Sequence, residues 1–133
     1  MRMERSGAST VMVVDDFVDT RLMIRQFLEL GGCRVVEAGN GREAIEVADR
    51  ERPDLILMDL NMPVLDGFTA TLRIRESESV RGVPIVALTA YDTAEFRAAA
   101  RAVGCDEYIS KPVDFNKLMG LVERFAPRAR ESS

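Results

Sequence analysis

Four short apolar runs in this sequence stop at a residue that can do chemistry. Val11 to Val14 is followed by Asp15 and Asp16, Asp54 to Met58 by Asp59, Ile85 to Leu88 by Thr89, and Glu107 to Ile109 by Ser110 and Lys111. Three carboxylates brought within a few Å repel one another by roughly 1–4 kcal/mol per pair at a surface-like dielectric, so they need a cation or shifted protonation. His is absent and the two cysteines, Cys33 and Cys105, stand far apart, which leaves only oxygen donors and favours a hard ion. Mg²⁺ suits such a set because it binds through one or two carboxylates, keeps several waters and bridges to phosphate oxygens, whereas Ca²⁺ recruits a larger oxygen cage. Thr89 and Lys111 add a hydroxyl donor and a positive charge, both suited to phosphoryl oxygens. If the fold gathers them, these groups describe phosphoryl transfer to a carboxylate.

The segments between the runs supply the means of gathering. Leu22, Met23, Phe27 and Leu30 recur at helical spacing over Val18 to Leu30, and Gly31-Gly32 terminates them. Arg34 to Glu37 is a brief β-branched segment, Gly39-Asn40-Gly41 a turn, and Glu43 to Glu51 a helix with Ala44, Ile45, Val47 and Ala48 on one side. Pro53 precedes the most apolar strand, and Asp66-Gly67-Phe68 opens a helix through about Glu76. Asp92 or Thr93 caps a helix over Ala94 to Val103, Gly104 closes it, and Asp114 to Phe125 is the fifth helix.

Five strands alternating with five helices predict right-handed βαβ units, one parallel sheet and helices on both faces. In such a doubly wound sheet every strand ends at the same edge, and ligands bind just beyond that edge. Asp15, Asp16, Asp59, Thr89 and Lys111 all fall there.

Length and composition fit one such α/β domain: 133 residues, 47% hydrophobic and 30% charged. The net charge of -4, from 18 basic and 22 acidic residues, argues against attraction to nucleic acid or anionic lipid. No apolar run approaches the ~20 residues of a membrane span, and Met1 to Thr10 lacks a signal-peptide stretch. A cytoplasmic protein with reduced thiols is expected. The polar segments 1–9 and 127–133 read as flexible tails around a domain at 10–126.

The motifs Val13-Val14-Asp15-Asp16, Leu57-Met58-Asp59-Leu60-Asn61-Met62-Pro63 with Asp66-Gly67, Ala87-Leu88-Thr89-Ala90 and Tyr108-Ile109-Ser110-Lys111-Pro112 closely resemble the receiver domain of two-component response regulators. The resemblance covers Thr10 to about Phe125 and implies a flavodoxin-like strand order 2-1-3-4-5. It also implies that Asp59 accepts a phosphoryl group from a histidine kinase or histidine phosphotransfer protein. Asp16, Asp59 and the Asn61 carbonyl match the direct Mg²⁺ ligands, and Asp15 one that acts through bound water. Thr89 and Lys111 match the phosphate contacts, and Pro112 a cis position that aims Lys111. Tyr108 matches an aromatic switch responding to Thr89.

On the residues alone, Tyr108 serves packing as readily as switching. Phe17 and Val18 are either contact surface for an approaching donor or the inner face of the first helix. Arg97, Arg101 and Lys117 form either an output docking face on α4-β5-α5 or a solvated charged face. Met12, Met23, Met58 and Met119 read as core filler. A chain ending after the fifth helix implies a stand-alone module that relays phosphate or binds a protein target, without turnover as an enzyme. An aspartyl-phosphate phosphatase would carry Asp where Asn61 stands. A vestigial adaptor would not need Asp16, Asp59, Thr89 and Lys111 all intact, and a flavin protein of the same architecture would be coloured.

Overall fold

A computed structural model describes residues 8–62 and 65–127, so Pro63 and most of both expected tails lie outside the described residues. The elements run β1 (Thr10–Val14), α1 (Val18–Leu30), β2 (Arg34–Ala38), α2 (Gly41–Glu51), β3 (Leu55–Asp59), α3 (Gly67–Glu76), β4 (Ile85–Thr89), α4 (Ala94–Val103), β5 (Glu107–Ser110) and α5 (Phe115–Phe125). All strands pair in parallel, in the order β2-β1-β3-β4-β5. The expected doubly wound sheet is therefore present.

Pleating sends alternate strand residues into two separate cores. Met12, Val14, Ile56, Met58, Ile85 and Ala87 pack beneath α2, α3 and α4. Val11, Val13, Leu55, Leu57, Val86 and Leu88 pack beneath α1 and α5. β1, β3 and β4 are covered on both sides, which is why their sequences are almost wholly apolar.

Local chemistry sets the boundaries. Asn40 caps α2 by accepting the Glu43 N–H (2.9 Å), so the helix starts at Gly41, two residues before its periodic part. Of the two candidate caps on α4, Thr93 takes the Phe96 N–H (3.1 Å), while Asp92 pairs with Arg97 (3.0 Å). Asp54 sits just outside β3, its carboxylate accepting the Thr10 N–H at 2.8 Å. Ser9, at the end of the expected N-terminal tail, is buried and donates its hydroxyl to the Ala126 carbonyl (2.7 Å).

Helix α1 departs from its apolar periodicity. Ile24 and Leu28 are the buried residues, whereas Leu22, Met23 and Leu30 are exposed, Leu30 to 89%. Met23 is thus surface, not core filler. The same face carries Arg21 one turn before Ile24, where its guanidinium meets Glu37 and the Asp15 carbonyl at the sheet edge. Phe17 and Val18 are likewise exposed, which removes their inner-face reading.

Two features tie the far elements together. Arg75, on α3, donates to the carbonyls of Arg81 and Val83 (both 2.6 Å) and Gly104 (2.6 and 3.1 Å) and to Asp106 (3.0 Å). It thereby clamps the entry to β4 and the C-terminal end of α4. Gly67 begins α3 directly against the end of β3, where a Cβ would lie 2.2 Å from the Asp59 carbonyl oxygen. Gly67→Ala should destabilise the domain by roughly 1–3 kcal/mol, because only backbone stands in the way. Gly82→Ala, with nothing within 4 Å of its Cβ, should stay within about 0.5 kcal/mol of the parent. Paired urea denaturation curves check both.

Candidate functional site

The carboxyl edge of the sheet collects most of the expected residues. Asp15 and Asp16 follow β1, Asp59 ends β3, Thr89 ends β4 and Lys111 follows β5. Oxygens from Asp15, Asp16 and Asp59 lie within 4.8 Å of one another. Lys111 Nζ donates to Asp15 Oδ2 at 3.0 Å and to Asp59 Oδ2 at 3.3 Å, so the last strand reaches across to the first and third.

Each group is held by identifiable bonds. Asp15 is fully buried: its N–H donates to the Ala38 carbonyl (3.1 Å), its Oδ1 accepts the Phe17 N–H (2.9 Å), and its carbonyl accepts Arg21 Nη1 (2.7 Å). Asp16 is exposed. Asp59, only 3% exposed, accepts the Asn61 N–H on Oδ1 at 2.9 Å. The Lys111 N–H donates to the Thr89 carbonyl (2.7 Å), and the Lys111–Pro112 peptide is cis.

Thr89 and Tyr108 connect through a third residue. The buried Thr89 Oγ1 accepts the Tyr91 N–H at 3.0 Å, and the Tyr91 carbonyl accepts the Tyr108 hydroxyl. Tyr108 itself does not reach the carboxylates. Its ring lies 5.8 Å beneath the Arg97 guanidinium, at the α4 side of β5.

Burial drives the Asp59 carboxyl up to about 6; the Asn61 N–H opposes this, the Asp15 charge adds to it, and Lys111 counters it. Burial works against the Lys111 ammonium, but its bonds and charges with Asp15 and Asp59 prevail and hold its pKa above the usual lysine value. Near neutrality the site therefore holds an ionised Asp59 carboxylate beside a fixed cation. Hard oxygen donors this close, one of them open to solvent, fit a small divalent ion, and among the described residues no other acidic or thiol group of three comes together.

Arg21 and Glu37 were not singled out by sequence reasoning, although they border the site. Arg21 Nε donates to Glu37 Oε1 at 2.7 Å, and Arg25 takes the other oxygen. The available signal was a glutamate near the end of a short β-branched strand.

A sheet of this order with acid, hydroxyl and ammonium gathered at its carboxyl edge defines a doubly wound α/β module of the flavodoxin-like type. Residues 11–123 match the family model of the response regulator receiver domain, and the chain belongs to that family. It is 31% identical to the polar-differentiation response regulator DivK of Brucella anthropi, across 87% of this chain and 94% of that protein. It superposes with a TM-score of 0.83 on the receiver domain of the Pseudomonas aeruginosa sensor histidine kinase PA1611, which has a magnesium ion in its active-site cleft (36% identity; 89% of this chain, 97% of that one). A chain from the Saccharomyces cerevisiae co-crystal of the phosphotransfer protein Ypd1 with the receiver domain of Ssk1 gives 0.82 at 30% identity (90% of this chain, 89% of that one).

Because the folded protein holds the Asp59 proton more tightly than the unfolded chain does, stability falls as pH rises through the interval from about 4 to about 6. Above that interval the cost is fully present. Without divalent cations, Asp59→Asn should be more stable than the parent at pH 8 by on the order of 2 kcal/mol, a gain that disappears below about pH 4. Denaturation midpoints across pH measure it; equal stability at pH 8 contradicts the assigned burial cost.

Proposed function

We propose that this receiver domain accepts a phosphoryl group on Asp59 in a Mg²⁺-dependent reaction and passes the event to a protein partner through the α4-β5-α5 face. The observation that carries the reading is the bridge from Lys111 Nζ to both Asp15 and Asp59, which places a fixed cation beside a carboxylate nucleophile. Asp16, Asp59 and the Asn61 carbonyl would hold Mg²⁺ directly and Asp15 through water. The ion supplies charge neutralisation for the phosphoryl oxygens.

An Asp59 carboxylate oxygen attacks phosphorus, the bond from phosphorus to the donor's imidazole nitrogen breaks, and its electron pair stays with that nitrogen. Lys111 turns from its carboxylates toward the new phosphoryl oxygens, and the Thr89 hydroxyl donates to another. Thr89 is bonded to the Tyr91 N–H, and the Tyr91 carbonyl to the Tyr108 hydroxyl, so movement of Thr89 pulls on β5 through a single residue. Arg75 holds the C-terminal end of α4, which confines the response to its N-terminal end and to the Arg97 and Tyr108 surface.

Donor docking falls on α1. Phe17, Val18 and Leu22 are exposed beside the acidic pair, at 62%, 52% and 43%, an apolar patch suited to a donor's helix. The Ypd1–Ssk1 co-crystal documents a phosphotransfer protein bound to a receiver domain, and the same class of donor is proposed for this chain.

Treatment with a small acyl phosphate and Mg²⁺ should add one phosphoryl mass, lost in Asp59→Asn and with chelator; unchanged labelling in that variant would refute the assignment. Leu22→Asp should slow transfer from a phosphorylated histidine phosphotransfer protein by tenfold or more while leaving labelling by the small donor intact. Equal slowing with both donors would remove α1 as the docking face. Thr89→Ala should still label but lose the phosphate-dependent change in the amide spectrum of β5 and α4.

A further inference from the structure

The ion pairs along α1 and β2 reach into the site at a point no candidate ligand explains. Arg21 Nη1 donates to the backbone carbonyl of Asp15 (2.7 Å), and Arg21 Nε donates to Glu37 (2.7 Å). Both side chains are largely shielded, at 18% and 20% exposure. Arg25 bonds the second Glu37 oxygen and also donates to Glu29 at 3.0 Å, so Glu37 cannot swing away without breaking a doubly held carboxylate.

Asp15 is consequently gripped on both sides of its Cα by β2 and what β2 anchors. Its N–H is bonded to the Ala38 carbonyl (3.1 Å), and its own carbonyl is bonded to an arginine fixed on the neighbouring Glu37. That carbonyl belongs to the peptide leading into Asp16. The Asp16 carboxylate is exposed, so what the fold fixes of it is the Cα–Cβ direction set by this peptide, from which its oxygen comes within 4.8 Å of those of Asp15 and Asp59.

We propose that Arg21, anchored by Glu37, is a positioning residue for the divalent-cation site, orienting the Asp15–Asp16 peptide so that the Asp16 carboxylate converges with Asp15 and Asp59. The role rests on the Mg²⁺ reading above. It carries a sign that separates it from plain electrostatics. Removing a guanidinium near a cation site tightens cation binding if charge alone matters, and weakens it if orientation matters, as loss of an outer support does at metal centres.

The test is titration of the full chain with Mg²⁺ alone, followed by the amide shifts of Asp16 and Asn61, with circular dichroism to verify folding. Arg21→Met should bind Mg²⁺ about 10-fold or more weakly than wild type, and Glu37→Gln several-fold more weakly. The double variant Arg21→Met/Glu37→Gln restores the net charge, yet should bind as poorly as Arg21→Met. If Arg21→Met does not fold, Arg21→Lys carries the test, since it keeps the charge and loses the guanidinium fork: weaker Mg²⁺ binding is expected there, and unchanged affinity overturns the role. A wild-type response matched or exceeded by Arg21→Met, or recovered in the double variant, overturns the positioning role while leaving the metal reading intact. No response in wild type overturns the metal reading and this role with it.

Discussion

Two buried carboxylates from different strands, Asp15 and Asp59, share one ammonium, Lys111, and the rest of the structure depends on that arrangement. A parallel sheet can bring β1, β3 and β5 to one edge only if the crossovers are helical and both faces are covered, since each parallel neighbour needs a full return connection. The two cores meet that demand. Without them the three charged groups would be separate solvated residues worth little to one another; with them, the carboxylates are buried and their contacts with the ammonium are strengthened. The Asp59 pKa is raised chiefly by burial, and the Lys111 pKa is raised against burial by its bonds and charges with Asp15 and Asp59.

The same enclosure leaves some of its groups with a second hydrogen-bonding option. A fully satisfied buried network is rigid, and a group that can exchange one partner for another gives it two stable arrangements. Lys111 is such a group, with side-chain exposure of 25% against 0% for Asp15. Thr89 is another, because its hydroxyl accepts from Tyr91 but has its own proton to give. Tyr91 matters through its backbone more than its ring: one peptide unit on either side links β4 to β5. On the opposite side of α4, Arg75 makes five hydrogen bonds to three segments. The α4 helix is thus clamped at its C-terminal end, while the segment before its N-terminal end is bonded to Tyr108 on β5 through the Tyr91 carbonyl.

How much of this was legible in the sequence follows from range. The strands and the edge positions of Asp15, Asp59, Thr89 and Lys111 were readable because burial on both faces imposes unbroken apolar runs, and the run's end marks the sheet edge. Caps were readable as a choice between residues but not as an outcome: Asp92 and Thr93 are equally suited, and the pairing of Asp92 with Arg97 leaves the cap to Thr93. The inner face of α1 was not readable, because Leu22, Met23 and Leu30 form as good a stripe as Ile24 and Leu28. The face that carries Ile24 and Leu28 is the one on which Arg21 meets partners from β2 and the β1 turn, contacts invisible to any local pattern. Met23 was misplaced for the same reason.

Charge balance explains why such a site combines a lysine with a cation instead of using either alone. Three carboxylates against one ammonium leave two uncompensated negative charges when Asp59 is ionised. A second lysine would neutralise only half of that, whereas a divalent ion would cancel it and keep several waters in its shell. Lys111 links Asp15 and Asp59, limiting the repulsion that burial would otherwise magnify. The exposed Asp16 differs from the other two in kind: it is the one carboxylate of the three open to solvent, the position from which a hydrated ion would be reachable without uncovering the buried pair.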